Sequence, residues 1–243
     1  MQTKQNRFYK LYLTKNINSM KKFILIGCLC CLTVLAYAQE EKPESNKPAS
    51  PEMSALQTAA SLAKYGYANY SPTALIEAAK IFAETQVQEL DAERSTNVPQ
   101  SISEKDNPVS FKPTQLIADA KKFAGKDKVV LAYAAQVEKS LKSNSTRGAV
   151  GGPRYGEYRV YGKDVDTFQV KFWAGELAEV IVVGDGDNDL DLYVYDENGN
   201  LIASDTDYTD QCVCRWVPSW TGTFILKVVN RGAIYSNYAL ATN

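Results

Sequence analysis

Histidine is absent from the 243-residue sequence. Its absence excludes catalytic groups that use an imidazole as general base, and every metal site that needs an imidazole ligand. Cysteine is also scarce, and three of the five cysteines lie together at Cys28, Cys30 and Cys31. Cys212 and Cys214 are too few for a disulfide framework or for a zinc site. The alternatives for this pair are buried or slightly strained cysteines without a further role, and redox activity.

The first 38 residues lack acidic side chains and carry six basic ones. Met20-Lys21-Lys22 precedes an apolar run from Phe23 to Leu35, which is followed by Ala36-Tyr37-Ala38. This order is typical of a secretory signal peptide, so we expect cleavage after Ala38 and a periplasmic or extracellular protein. The apolar run is shorter than the roughly 20 residues that span a bilayer, so no membrane span is expected after cleavage.

Two alternatives stay open for this N-terminal segment. Leu25-Ile26-Gly27-Cys28 is similar to a lipobox, in which a lipid on Cys28 would anchor the protein to a membrane. Translation could also start at Met20, because residues 1–19 are polar. Residues 39–51, rich in Glu, Lys, Pro and Ser, predict a flexible tether.

Helical periodicity follows over residues 52–145. Ser50-Pro51 and Ser71-Pro72 each place a capping residue before a proline, which is typical of helix N-termini. The sequence of residues 72–83 recurs at residues 113–124, with eight of twelve positions identical. These patterns predict helical hairpins with an internal repeat, separated by a loop over residues 94–112. The repeat segment either offers a groove to a partner protein or supports its neighbour.

The periodicity changes from 3.6 to 2 over residues 155–243, after a Gly- and Ser-rich boundary at residues 143–156. Phe168, Val170 and Phe172 alternate with polar residues, and Asn198-Gly199 indicates a hairpin turn. Short strands with turns between them predict an antiparallel β-sandwich that is jelly-roll-like in form. The predicted fold class is therefore α+β, with an N-terminal helical-hairpin repeat segment followed by an antiparallel β-sandwich.

Charge is unevenly distributed between the two parts. Residues 151–243 contain fourteen acidic and seven basic side chains, whereas residues 39–150 contain fourteen of each. An acidic module repels phosphate backbones, so a nucleic-acid partner is not expected.

Four of the acidic residues occupy alternate positions, at Asp185, Asp187, Asp189 and Asp191. In an extended segment their side chains share one face, where four carboxylates repel one another unless water or a cation separates them. Oxygen ligands of this kind suit Ca²⁺, although the spacing is not that of an EF-hand. The two interpretations are thus a calcium site and a solvated acidic turn.

Aromatic residues supply the remaining candidates for ligand contact. Alternation places Tyr193 and Tyr195 opposite Leu192 and Val194, where they could stack on sugar rings and hydrogen-bond their hydroxyls. They could equally pack under a loop or under the helical segment. Trp220 lies near a turn and is expected to be exposed, whereas Trp216 is expected in the core.

The β-segment resembles a known family. The motifs that carry the resemblance are Asp166-x-Phe168-x-Val170, residues 184–196, Trp216-x-Pro218, Thr221-Gly222-x-Phe224 and Val228-x-Asn230. Residues 155–243 resemble the bacterial pre-peptidase C-terminal domain, a β-sandwich appended to exported proteins. The resemblance implies a non-catalytic module that binds a carbohydrate, a protein or another polymer, or assists secretion and folding. Some similar collagen-binding domains take up Ca²⁺, while a helical segment here stands where a peptidase would.

We therefore expect an exported, non-catalytic binding or accessory protein without a certain cofactor, calcium being the one candidate. Its partner would be a polymer or a protein outside the cytoplasm. One alternative is a structural or chaperone-like module that uses the helical repeat. Another is a hydrolase that relies on carboxylates alone, which needs two carboxylates facing one sugar in a cleft.

Overall fold

The computed structural model describes residues 48–97, 105, 108–144 and 152–243. The predictions for the signal peptide, for Cys28 and for most of the tether lie outside these residues. The described helices are α1 (Pro51–Ala68), α2 (Pro72–Glu84), α3 (Pro113–Ala124) and α4 (Lys128–Asn144). The described strands are β1 (Gln88–Glu89), β2 (Glu93–Ser95), β3 (Arg154–Val160), β4 (Val165–Phe172), β5 (Ala178–Gly184), β6 (Leu190–Tyr195), β7 (Leu201–Asp205), β8 (Gln211–Trp216), β9 (Gly222–Asn230) and β10 (Ser236–Thr242).

Polar side chains cap three of the helices at their N-termini. The Ser50 hydroxyl accepts a hydrogen bond from the Met53 amide at 3.2 Å, and Ser71 does the same at the start of α2. Proline occupies the first turn of both helices, where its missing N–H costs no hydrogen bond. Asp127 accepts hydrogen bonds from the amides of the first turn of α4. Local sequence thus sets the helix starts.

The two copies of the sequence repeat form α2 and α3. These helices pack against each other, and α2 also contacts α1 and α4. Along the chain, however, α2 is the second helix of its pair and α3 is the first. The copies are therefore adjacent single helices and do not occupy equivalent places in two hairpins.

Two five-stranded sheets form the β-sandwich. Sheet A has the order β1-β3-β10-β5-β8 and sheet B the order β2-β4-β9-β6-β7. Neighbouring strands are antiparallel except for β1 and β3, which are parallel. Val180 and Val182 from sheet A share one apolar core with Phe168 and Leu226 from sheet B. The predicted α+β class, with helices followed by a β-sandwich, is confirmed.

Sheet A is covered on both faces. Ile181 and Val183 of β5, with Ala239 and Ala241 of β10, belong to a second apolar core that the four helices complete. Every residue of β5 and β10 is buried as a result, which is the pattern expected of strands in the middle layer of three. The helices therefore form a layer on the sandwich, and the domain boundaries stay a prediction.

The segment between α2 and α3 contributes one edge strand to each sheet. Gln88 of β1 is in register with Arg154 of β3, and Arg94 of β2 is in register with Phe168 of β4. The prediction of a loop from residue 94 is therefore wrong at β2. Strands of two and three residues are too short to carry a period-two pattern.

Candidate functional site

The outer face of sheet B carries an aromatic and basic surface, which we call the tyrosine face. Its side chains come from three strands and one adjoining loop: Thr167, Gln169, Lys171, Trp173, Tyr193, Tyr195, Thr223, Ile225 and Lys227. Strand alternation explains the placement, because Leu192 and Val194 are buried in the core while Tyr193 and Tyr195 are partly exposed on the opposite side. Two of the three aromatic residues selected from the sequence therefore share this face.

The two tyrosines form a stack with a lysine beside them. Their ring centroids are 6.3 Å apart with an interplanar angle of 22°. Lys227 is in register with Tyr193, and its ammonium lies 4.9 Å from the centroid of the Tyr195 ring. The arrangement holds the ammonium over a ring, and no described residue forms a hydrogen bond with the Tyr195 hydroxyl.

An ion pair fixes the Tyr193 side chain. Its hydroxyl donates to Asp191 Oδ2 at 3.1 Å and accepts from Arg231 Nη2 at 2.9 Å. Arg231 also donates from Nε to Asp191 Oδ2 at 2.6 Å. Burial, together with the Asp191 carboxylate, raises the pKa of Tyr193. The phenol is therefore a neutral hydrogen-bonding group at neutral pH.

Lys171 and Trp173 extend the face beyond the tyrosines. Trp173 is 54% exposed, and the Lys171 ammonium lies 4.6 Å from the centroid of its ring. Sequence reasoning missed both residues, together with Lys227 and Arg231. The alternation that buries Phe172 would have placed Lys171 and Trp173 together on the outer side of β4.

Trp220 lies elsewhere. Its ring stacks on Phe224 with centroids 5.6 Å apart, and Phe224 faces the sandwich core. Trp220 is 37% exposed, so it covers one end of the core and is apart from the tyrosine face. Trp216, by contrast, is buried against Phe172 and Phe224, as the sequence predicts.

The structure separates the four alternating aspartates. Residues 185–189 form a bent loop, so their side chains do not follow one extended face. Asp185 is buried and accepts hydrogen bonds from Ser236, from the Asn237 amide and from Lys105. Asp187 is also paired with Lys105, at 2.7 Å. The Asp191 carboxylate forms an ion pair with Arg231 on the tyrosine face.

Asp189 is the member of this set without such a partner. No donor among the described residues reaches its buried Oδ1 atom. Desolvation, and then the negative charge of Asp191, raise its pKa above the ordinary value. Within the described ranges, no group of three or more Asp, Glu or Cys side chains is arranged to hold a metal ion. The four aspartates therefore do not fit a shared calcium ion.

A separate cleft lies between the helical layer and sheet A, with a volume of about 540 Å³. Two of its carboxylates, Asp119 and Glu157, already accept hydrogen bonds. Asp119 accepts from Tyr67, Gln115 and Lys122, and these bonds lower its pKa although burial acts in the opposite direction. A general acid needs the reverse shift, so Asp119 is poorly suited to protonate a leaving group.

The two C-terminal cysteines point into the sandwich core. Cys212 and Cys214 are not joined by a disulfide bond and are 1% and 2% exposed. Cys212 Sγ donates to the Leu190 carbonyl at 3.0 Å, and burial raises the pKa of its thiol. Both properties oppose thiolate chemistry.

Comparisons with known proteins find solved structures that are similar to part of the chain. No family model and no curated protein matches the chain. The pre-peptidase C-terminal domain of a collagenase from Bacillus anthracis is similar over 37% of this chain and 87% of its own, at 13% identity and a TM-score of 0.33. The periplasmic inhibitor of g-type lysozyme from Aeromonas hydrophila matches at 16% identity, 37% and 84% coverage, and a TM-score of 0.30.

A carbohydrate-binding module of Cellvibrio mixtus lichenase 5A, solved with cellotriose, matches at 12% identity, 39% and 79% coverage, and a TM-score of 0.24. These structures include the type of domain that the sequence motifs resemble. The fold assignment itself follows from the strand order and register given above. In the described part of the chain, no helix has the length and apolar character needed to cross a membrane.

Proposed function

We propose that the protein is an exported, non-catalytic binding module that holds a polysaccharide against the tyrosine face. The observation that carries the proposal is the combination of exposed aromatic rings and hydrogen-bonding side chains on one open sheet face. Trp173 offers a ring that is 54% exposed, while Gln169 and Lys171 are exposed beside it. Sugars are bound by rings that cover their apolar faces and by polar groups that meet their hydroxyls.

The shape of the surface favours a polymer over a small ligand. The rows of side chains run across β4, β9 and β6 in one sheet. An extended chain of sugars can contact several rows at once, and each contact adds to the binding of the next. A protein or another polymer would meet the same groups, and the resemblance to pre-peptidase C-terminal domains implies such partners as well.

The chaperone-like role and the carboxylate-only hydrolase have less support. A chaperone-like role needs an apolar helical groove, but the apolar faces of the helices are packed against each other and against sheet A. A hydrolase needs a carboxyl group with a raised pKa in a cleft, and Asp119 in the cleft between the helical layer and sheet A has a lowered one. The pKa of Asp189 is raised, but this residue lies outside that cleft. The proposal includes no calcium, because Asp185 and Asp191 are already paired with basic side chains.

Affinity electrophoresis tests the proposal. The purified protein is run through gels that contain a panel of soluble polysaccharides, with calcium and with a chelator. We expect retardation by at least one polysaccharide in both conditions, and at least tenfold weaker binding by the variant Tyr195→Ala/Trp173→Ala.

Tyr208→Ala is the matched control, because Tyr208 is 96% exposed and lies outside the tyrosine face, in the β7–β8 loop. It should bind like the wild type. Circular dichroism checks that each variant is folded. Unretarded migration of the wild type in every gel, or equal binding by the double variant, would contradict the proposal.

A further inference from the structure

We infer that the tyrosine face selects an anionic polysaccharide, with carboxylate or sulfate groups that pair with Lys171 and Lys227. This inference rests on the proposed function and adds the charge of the ligand to it. It starts from the distribution of charge over the β-segment. Residues 151–243 contain twice as many acidic as basic side chains, yet three of the seven basic ones border this single face: Lys171, Lys227 and Arg231.

The two lysines are positioned by rings and are not neutralised by acids. Their ammonium groups lie 4.6 Å and 4.9 Å from the centroids of Trp173 and Tyr195. No carboxylate of the described residues forms an ion pair with either lysine, whereas Lys64 and Lys121 each form one and Lys105 forms two. An ammonium held over a ring keeps its charge and its donors for a ligand.

The buried carboxylate on this face does not repel an anion. Asp191 is 4% exposed and is covered by Arg231, whose Nη2 atom lies 2.5 Å from Asp191 Oδ2. The side chains beside the lysines on β4 and β9 are uncharged: Thr167, Gln169, Thr223 and Ile225. Glu93 of β2, which is in register with Gln169, adds an exposed carboxylate to the same side of sheet B. Three cations, Lys171, Lys227 and Arg231, against the two carboxylates of Asp191 and Glu93 leave the local charge of the face positive on an acidic module, which favours ligands of opposite charge.

The separation of the lysines indicates a polymeric anion. Lys227 on β9 is in register with Thr167, and Lys171 lies four residues further along β4. At 3.2–3.4 Å per residue, the backbone positions of the two lysines are about 13 Å apart along the strand direction, which is more than one small anion spans. A chain that repeats its charge can reach both. Lysine is depleted in protein interfaces, which favours a polysaccharide over an acidic protein.

A matched pair of polymers tests the inference. Polygalacturonate carries a carboxylate on each sugar, and its methyl ester has the same chain without the charge. In affinity gels with a chelator, we expect retardation by the acid form to exceed that by the ester at least tenfold. The difference should shrink as salt is raised, because salt screens exposed charges.

The variant Lys171→Gln/Lys227→Gln should remove this preference. The control is Lys126→Gln/Lys139→Gln, which loses two exposed lysines of the helical segment and should behave like the wild type. If the acid form and the ester retard the wild type equally, and retard the Lys171→Gln/Lys227→Gln variant to the same extent, the inference is overturned. The proposed function then still stands. Binding to polyglutamate without binding to polygalacturonate would assign the face to an acidic protein and overturn it. Failure of the wild type to bind any polysaccharide rejects the proposed function itself.

Discussion

The guanidinium Nη2 of Arg94 lies 2.7 Å from Asp166 Oδ2, and this ion pair joins β2 to the interior of the sandwich. Asp166 is fully buried, and the Tyr238 hydroxyl donates to the same oxygen at 2.6 Å. The guanidinium also lies over the Tyr158 ring, 5.0 Å from its centroid. A side chain from the segment between the helices thus compensates a charge buried in the β-sandwich.

Removal of Arg94 should be strongly destabilising. Arg94→Ala leaves the Asp166 carboxylate buried without its cation, and such losses cost about 3–5 kcal/mol. Chemical denaturation followed by circular dichroism measures the change. The double variant Arg94→Met/Asp166→Leu removes both charges and should recover most of the loss. A single variant within about 1 kcal/mol of the wild type would show that Asp166 needs no partner from β2.

The β-segment alone should not form a stable monomer. Residues 152–243 without the helices expose the outer side of sheet A, including Ile181 and Ala239, and lack Arg94. A chain cut between residues 143 and 156 should therefore keep its two pieces associated. Size-exclusion chromatography of the nicked protein and thermal unfolding of the isolated fragment check this. A cooperative melt of the fragment would contradict it.

The Asp189 carboxyl should make the free energy of unfolding decrease as pH rises, which is opposite to the usual effect of an aspartate. Its pKa is raised in the folded state, so its contribution to stability is favourable below the unfolded pKa and is lost as pH rises through the folded one. Asp189→Asn should therefore increase the free energy of unfolding near neutral pH. The increase should shrink as the pH falls below the ordinary pKa of 3.8. Urea denaturation at several pH values measures both.

The Asp196 carboxylate should change the free energy of unfolding with pH in the opposite direction. Hydrogen bonds from Asn200 are the main reason that its pKa is lowered, so its contribution is present above the unfolded pKa and is lost as pH falls. Asp196→Asn should destabilise at neutral pH and have less effect in acid. The same sign for both variants would contradict the assignment.

Cys212 and Cys214 should resist alkylation in the native protein. Burial keeps both thiols from reagent and raises the pKa of Cys212. Mass spectrometry after iodoacetamide treatment should find these two residues unmodified under native conditions and fully modified in guanidinium chloride. Rapid native labelling would place them in a segment that opens locally.

Export should leave a mature protein that begins at Gln39. The residues before it have the order of a secretory signal peptide. N-terminal sequencing of protein recovered after secretory expression checks the cleavage site. A start at Met1 or Met20 would contradict export, and a lipid on Cys28 would move the protein to a membrane.

The sequence predicted the helices and strands whose formation depends on nearby residues of the chain. Capping serines before prolines indicated the starts of α1 and α2, and period-two alternation indicated β4 and β6. It also placed Tyr193 and Tyr195 on the outer side of their strand. These features depend on neighbours within a few residues of the chain.

The features that were missed depend on distant residues. Asp185 and Asp191 form an alternating pattern in sequence, but Lys105 and Arg231, which are 80 and 40 residues away, determine where their side chains are held. β1 and β2 form because β3 and β4 have free edges with which they can pair. Strands this short have no period-two pattern of their own. Single-sequence periodicity contains neither kind of information.

β1 and β2 also affect how molecules of the protein associate with one another in solution. Without them, β3 and β4 would be edge strands and would offer unpaired N–H and C=O groups to the sheets of other molecules. β1 and β2 cover these edges with two and three residues that include Glu89 and Glu93, too short and too charged to serve well as templates. The segment that connects α2 to α3 therefore acts against intermolecular β-pairing, and its deletion should promote aggregation.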